Sequence, residues 1–155
     1  MDESRFQRKI AQGSPFRTAV LLVGLFLVFF VVACVLHHPA LNAEMYYDSR
    51  EHILAKEDVY AKGRVIEVLG TYPQRPITIL SFYGNYIYSG MNPYWFRLTN
   101  LVMLAMTGVV ISLLVYTVLG ISPQGDRWQH MGASIAAGLF FVIHPILTWG
   151  TLYIW

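Results

Sequence analysis

The sequence predicts an all-α integral membrane protein, with about three transmembrane helices and an outer loop carrying one or two helices that lie along the membrane surface. Three observations lead to this class. Of 155 residues, 55% are hydrophobic and only 13% charged, and the mean hydropathy is +0.47; ordinary globular domains are far less apolar. Residues 18–36, TAVLLVGLFLVFFVVACVL, contain neither a charge nor a proline. Two further apolar stretches follow, from Phe96 to Leu119 and from Gly132 to Trp155.

The first stretch is long enough to cross a hydrocarbon core of roughly 30 Å. A cleaved signal peptide is the competing reading, because basic residues precede the run. Its apolar part is longer than the usual signal-peptide core, however, and the following HHPALNAEM offers only a poor small-x-small cleavage site. A retained anchor is therefore preferred. The single cysteine, Cys34, lies inside this segment, forms no intrachain disulfide and says nothing of redox compartment. Arg5, Arg8, Lys9 and Arg17 outweigh Asp2 and Glu3 in the first tail, and Arg127 lies between the second and third apolar stretches. By the positive-inside rule, residues 1–17 form a cytoplasmic tail and 120–131 a cytoplasmic loop. The spans are then 18–36, 96–119 and 132–155, and residues 37–95 form an outer loop facing periplasm or lumen. The expected location is a bacterial inner membrane or the endoplasmic reticulum, as a multi-pass protein with its amino terminus in the cytoplasm. A net charge of +2 is too small to suggest a nucleic-acid partner.

Within the outer loop, Glu51 to Leu69 mixes Ile53, Leu54, Val59, Val65, Ile66 and Leu69 with charged residues, as expected of a helix along the interface. Gly63 argues against one unbroken helix. The run from Pro76 to Ser89, PITILSFYGNYIYS, reads as a second helix that Pro76 starts and Gly90 stops, although its β-branched and aromatic residues would also suit a strand. Tyr83, Tyr86, Tyr88, Tyr94 and Trp95 crowd the approach to the second span, where an aromatic belt is expected.

The candidate chemistry begins at YYDSREHI, residues 46–53. Asp48 and Glu51 have the spacing of a capping box, with Asp in place of Ser or Thr. The alternative is a carboxylate at the outer surface, acting as general base or helping to hold a divalent cation. Both readings stay open, because Glu51 can cap while Asp48 faces a cavity. His37, His38, Asp48 and His52 have metal-ligand chemistry but lack the tight spacing of a zinc motif, so no metal site is assigned and no cofactor is certain. Inside the spans, Asn100 reads as interhelical glue or a substrate contact, and His144, followed by Pro145, as a partner for a kink carbonyl or a functional group. Arg97 is either an interfacial anchor or a phosphate ligand. Arg75 stands where the loop returns to the bilayer, placed to bind a lipid phosphate bidentately or to pair with Asp48 or Glu51.

The order of these segments carries a resemblance. YYDS in the outer loop, then QRPITILSFYGNYIYSGMNPYWFRLTNLVML, then AAGLFFVIHPILT resemble the amino-terminal part of GT-C-type membrane glycosyltransferases, in particular the protein O-mannosyltransferase-like enzymes that often carry tetratricopeptide repeats. The resemblance runs from about Tyr46 to Thr148 and is most specific from Arg75 to Leu101. Four departures stand out: Ser49 replaces a second aspartate, Arg97 a histidine, Trp149 an acid, and the family carries many more helices than 155 residues hold.

The resemblance implies sugar transfer from a polyprenyl-phosphate donor to a hydroxyl on a protein or glycan acceptor at the outer face, by a longer enzyme of which this chain is a part. It gives Asp48 the role of base or acceptor-orienting acid, with Glu51 in support. Arg75, Arg97, Asn100 and His144 are the candidates for donor phosphate or substrate. The partners implied are the lipid-linked donor, the acceptor and membrane lipid. The competing class is a small three-span scaffold or assembly subunit without catalysis. A transporter segment has little support, since no acid lies inside a span.

Overall fold

A computed structural model of the chain describes residues 15–43, 57–62, 64–71, 73–121 and 125–144. Among these residues the structure is helical, with no strand. Among the described residues six helices follow in order: α1 (Pro15–Leu41), α2 (Glu57–Ala61), α3 (Val65–Thr71), α4 (Pro76–Ser89), α5 (Pro93–Ile121) and α6 (Arg127–Ile143).

Helices α1 and α5 are long and apolar enough to cross a membrane. At 1.5 Å per residue they reach about 40 and 43 Å, past the hydrocarbon core and into the headgroup layers on either side. Many of their large apolar side chains, including Leu21, Val28, Val35, Val110, Leu114 and Val118, are exposed. A core helix of a water-soluble domain buries such residues; a helix facing lipid does not. Helix α6 has 17 residues and spans about 25 Å. It starts at Arg127, ahead of the apolar stretch, because Asp126 and Gln129 form a capping box: Gln129 N–H donates to Asp126 Oδ1 over 2.8 Å, and Asp126 N–H to Gln129 Oε1 over 3.2 Å.

The three long helices close on one another through stripes of residues three or four apart. Phe29, Ala33, His37 and Leu41 form the buried stripe of α1, and Ser134, Gly138 and Val142 that of α6. On α5 the stripe is Arg97, Leu101, Ala105, Gly108 and Ser112, with Leu104 beside it. The tightest point joins Phe29, Gly108, Ser112, Gly138 and Val142. A Cβ on Gly138 would lie 2.1 Å from Ser112 Oγ and 2.5 Å from Gly108 O; one on Gly108 would lie 2.7 Å from Val142 Cγ2. Small residues let backbones approach this closely, the means by which helices associate in lipid. The buried serine hydroxyls of the bundle are satisfied inside their own helices, Ser112 donating to Gly108 O and Ser134 to Met131 O. Phe29 and Gly108 each lie next to the midpoint of their helix.

The segment joining α1 to α5 builds a second, smaller core. Tyr60 of α2, Val68 of α3, Ile79 and Phe82 of α4 and Phe96 of α5 are buried together. Tyr60 packs against Tyr83 and Tyr86 with ring centroids 6.4 and 5.7 Å apart, and Phe82 against Phe96 at 5.8 Å. Tyr83 and Tyr86 thus belong to this core rather than to an aromatic belt. Tyr88, Tyr94 and Trp95 form a separate edge-to-face group at the junction of α4 and α5. The α4 segment is a helix and not a strand, started at Pro76 and stopped by Gly90 as its punctuation predicts. Over residues 51–69, where Gly63 argues against one unbroken helix, the described part holds α2 and the start of α3, two short helices.

Candidate functional site

The stretch GMNP, residues 90–93, turns α4 into α5, and each residue type has a reason to be there. Gly90 has φ 63°, in the left-handed region that favours glycine, and its N–H donates to Tyr86 O over 2.8 Å. Asn92 Oδ1 accepts the backbone N–H of Tyr94 over 3.0 Å, and Pro93 fills the first helical position. Thr99 Oγ1 donates to Asn85 Oδ1 over 2.8 Å, tying α4 to the second turn of α5. Asn85 and Asn92 were not singled out from sequence; Asn92 before Pro93 was the legible signal of a cap.

This turn sets Arg97 one helical turn inside α5. Its side chain is 5% exposed. Nη1 donates to Leu41 O over 3.1 Å and also to Ala43 O. These are carbonyls at the end of α1, where a helix has no further N–H of its own to offer and where positive charge is favoured. Arg97 therefore caps α1 from across the bundle. His37 lies one turn before Leu41 on the same buried stripe, 6% exposed, and its Nε2 has no hydrogen-bond partner among the described residues.

The other sequence-predicted residues distribute as follows. Arg75 precedes Pro76 with an exposed side chain, and its backbone carbonyl accepts the N–H of Ile79 over 3.1 Å. Asn100 is half-buried on α5, one turn beyond Phe96 and Arg97. His144 ends α6: its backbone is extended, as a residue before proline prefers, its N–H reaches Phe141 O over 3.3 Å, and its ring stands edge-on to Phe140 at 5.3 Å. Asp48, Glu51 and His52 lie outside the described residues, as do Ser49 and Trp149. Among the described residues no group of three or more His, Cys, Asp or Glu could hold a metal ion.

The stripe pairings give these positions depth. From the Phe29–Gly108–Gly138 contact, Leu41 and Arg97 are each about 17 Å along their helices and His144 about 9 Å along α6, all toward one end, because α1 and α6 run opposite to α5. Arg97, Asn100, His144 and the root of the Asp48 segment, which follows Ala43 by five residues, so share one end of the bundle. The exposed Arg75 precedes the helix that turns into that end.

No family model matches the chain, and no solved structure matches it. It is similar to Protein O-mannosyl-transferase Tmtc1 of Drosophila melanogaster, 31% identical over 130 residues that cover 76% of this chain and 14% of that protein. It is 24% identical to Protein O-mannosyl-transferase TMTC1 of Homo sapiens over 95% of this chain and 17% of that protein, and 31% identical to the Mus musculus protein of the same name over 48% and 7%. The chain thus spans less than a fifth of the length of the curated relatives it matches.

Proposed function

We propose, taking as premise that the chain belongs to a protein O-mannosyltransferase-like family, that it contributes the amino-terminal part of a GT-C-type enzyme that mannosylates a hydroxyl from a polyprenyl-phosphate donor. Three spans, 18–36, 96–119 and 132–155, put the amino terminus in the cytoplasm and the segment between α1 and α5 outside. A lipid-linked donor resides in the bilayer, so its phosphate and the reacting sugar meet the protein at that outer end.

The reaction follows from simple bond changes. The acceptor oxygen attacks the anomeric carbon, the bond from that carbon to the phosphate oxygen breaks, and the acceptor proton passes to the Asp48 carboxylate. Polyprenyl phosphate leaves with the electron pair, its growing charge met by Arg75, whose guanidinium suits two phosphate oxygens at once. Arg97 holds the end of α1 and so positions the root of the segment carrying Asp48; Asn100 and His144 line the approach from within the bundle. Glu51 caps or supports Asp48. The two acids offer oxygen ligands of the kind a divalent cation takes, but no step here is routed through one. The acceptor is a protein or a glycan hydroxyl.

The observation that supports this reading is the Arg97 clamp, which holds the carbonyls of Leu41 and Ala43 at the end of α1 that leads toward Asp48. Asp48→Asn in the full-length protein should abolish mannosyl transfer in membranes supplied with donor lipid, with expression unchanged. Full activity in that variant excludes Asp48 as the base. A wild-type protein that is inactive yet retains a membrane partner through residues 37–95 would instead support the scaffold reading.

A further inference from the structure

Helix α4 has two apolar faces and no charged residue in its 14 positions. One face, Ile79, Phe82, Tyr83 and Tyr86, closes on the aromatic core. The other comprises Ile77, Leu80, Ile87 and Tyr88, between 43% and 77% exposed. At 100° per residue these four fall within an arc of about 100°, with exposed Gly84 at its middle. An apolar stripe of this kind on an extramembrane segment needs a cover.

The place of α4 identifies that cover. Gly108 lies next to the midpoint of α5. Pro93 is 15 residues from Gly108, about 22 Å along the axis, which equals the half-thickness of a bilayer of about 40–45 Å including headgroups. With Gly108 at the bilayer centre, the turn at residues 90–92 falls at headgroup level, and α4 leaves from there. Tyr88, Tyr94 and Trp95 pack edge to face at the junction, with centroids 5.0 and 5.5 Å apart, the residue types that settle at a membrane–water boundary.

We infer that α4 lies in the bilayer surface, with Ile77, Leu80, Ile87 and Tyr88 seated among lipid acyl chains and its aromatic face turned toward the extramembrane core. The occupant of this face is lipid, not a second protein surface. Arg75, exposed at the start of α4, is then carried at the level of lipid phosphates, whether of a bulk phospholipid or of a lipid-linked sugar. The surface contact depends on the membrane setting and not on catalysis, so it stands or falls separately from the transfer reaction.

The test uses the chain in phosphatidylcholine nanodiscs, with Cys34→Ala and single cysteines at Leu80→Cys, Ile87→Cys and, as a water-facing control, Glu57→Cys, each labelled with an environment-sensitive fluorophore. Labels at 80 and 87 should be quenched several-fold more by lipid carrying a nitroxide high on its acyl chain than by aqueous iodide, and the label at 57 the reverse. Iodide quenching at 80 and 87 equal to that at 57 overturns the inference, since the face is then in water. Protection from both quenchers also overturns it, since protein then covers the face. Comparing nanodiscs with and without polyprenyl phosphate separates the phosphate sources for Arg75: displacement of a label at Gln74→Cys, with Arg75 intact, by polyprenyl phosphate alone marks the donor, and no difference marks bulk lipid.

Discussion

The three-helix bundle and the aromatic core beside it come from one apolar-rich chain, yet they close by opposite means. The bundle meets at Gly108, Ser112 and Gly138, where the absence of bulk lets backbones approach and a single ring, Phe29, fills the space. The neighbouring core meets at Tyr60, Phe82 and Phe96, where bulk itself makes the contact. The difference follows from the surroundings. Apolar side chains gain nothing by leaving lipid for one another, so helices there associate through close packing and internal hydrogen bonds. In contact with water, a buried aromatic ring removes a large apolar area and stabilises in proportion.

The comparison can be broken at three points. Phe96→Ala should have the largest effect: the ring is 1% exposed and packed on Phe82, and such truncations cost about 3–5 kcal/mol. Unfolding followed by the near-ultraviolet signal of the aromatic residues should show the α2–α4 core melting first, with helix content of the bundle retained. Loss of both together would mean that the two regions do not fold as distinct units.

Arg97 is the next residue along and belongs to the other region. Arg97→Met keeps most of the volume but strips the bonds to Leu41 and Ala43, and charged hydrogen bonds contribute about 1.5–3 kcal/mol. The expected outcome is faster amide hydrogen exchange over the last turn of α1, with α6 unaffected. Unchanged exchange there would show that the cap contributes little. Gly138→Ala is the smallest substitution and the sharpest test of the close approach. One methyl 2.1 Å from Ser112 Oγ and 2.5 Å from a carbonyl oxygen must push α6 from α5, at about 1–3 kcal/mol. Thermal unfolding in lipid nanodiscs measures it; an unaltered midpoint would mean the helices are not in this register.

The junction of the two regions carries the candidate site. Phe96 points into the aromatic core and Arg97 into the bundle, on adjacent positions of α5, and the GMNP turn sets both. The segment bearing Asp48 leaves α1 at the carbonyls Arg97 holds, and α4 runs between this turn and Arg75. Arg97, Asn100 and the end of α1 thus meet at the junction of the helix bundle and the smaller aromatic core, with Arg75 at the far end of α4.

Several elements are legible in the residues alone because their causes are local. An uncharged run predicts α1 and α5, and Pro76 with Gly90 delimits α4, since backbone restriction acts within a residue or two of its source. The box at Asp126 and Gln129 is equally local, with the same i, i+3 spacing that reads as a capping box at Asp48 and Glu51. The Arg97 clamp, by contrast, joins residues 54 and 56 positions apart, and no local spacing announces it. Arginine at that position was compatible with an interfacial anchor or a phosphate ligand; burial against the end of α1 gave it a third task, that of a helix cap.

By itself, then, the sequence determined that this chain enters a membrane, where the apolar runs of α1 and α5 lie and where α4 begins and ends, because hydropathy, proline and glycine act through the solvent and the neighbouring backbone. Only the tertiary structure decided which tyrosines pack in a core and which remain at the boundary, which glycines permit contact, and that Arg97 holds α1. Those outcomes depend on which surfaces meet, and a surface exists only once separate helices have been brought side by side.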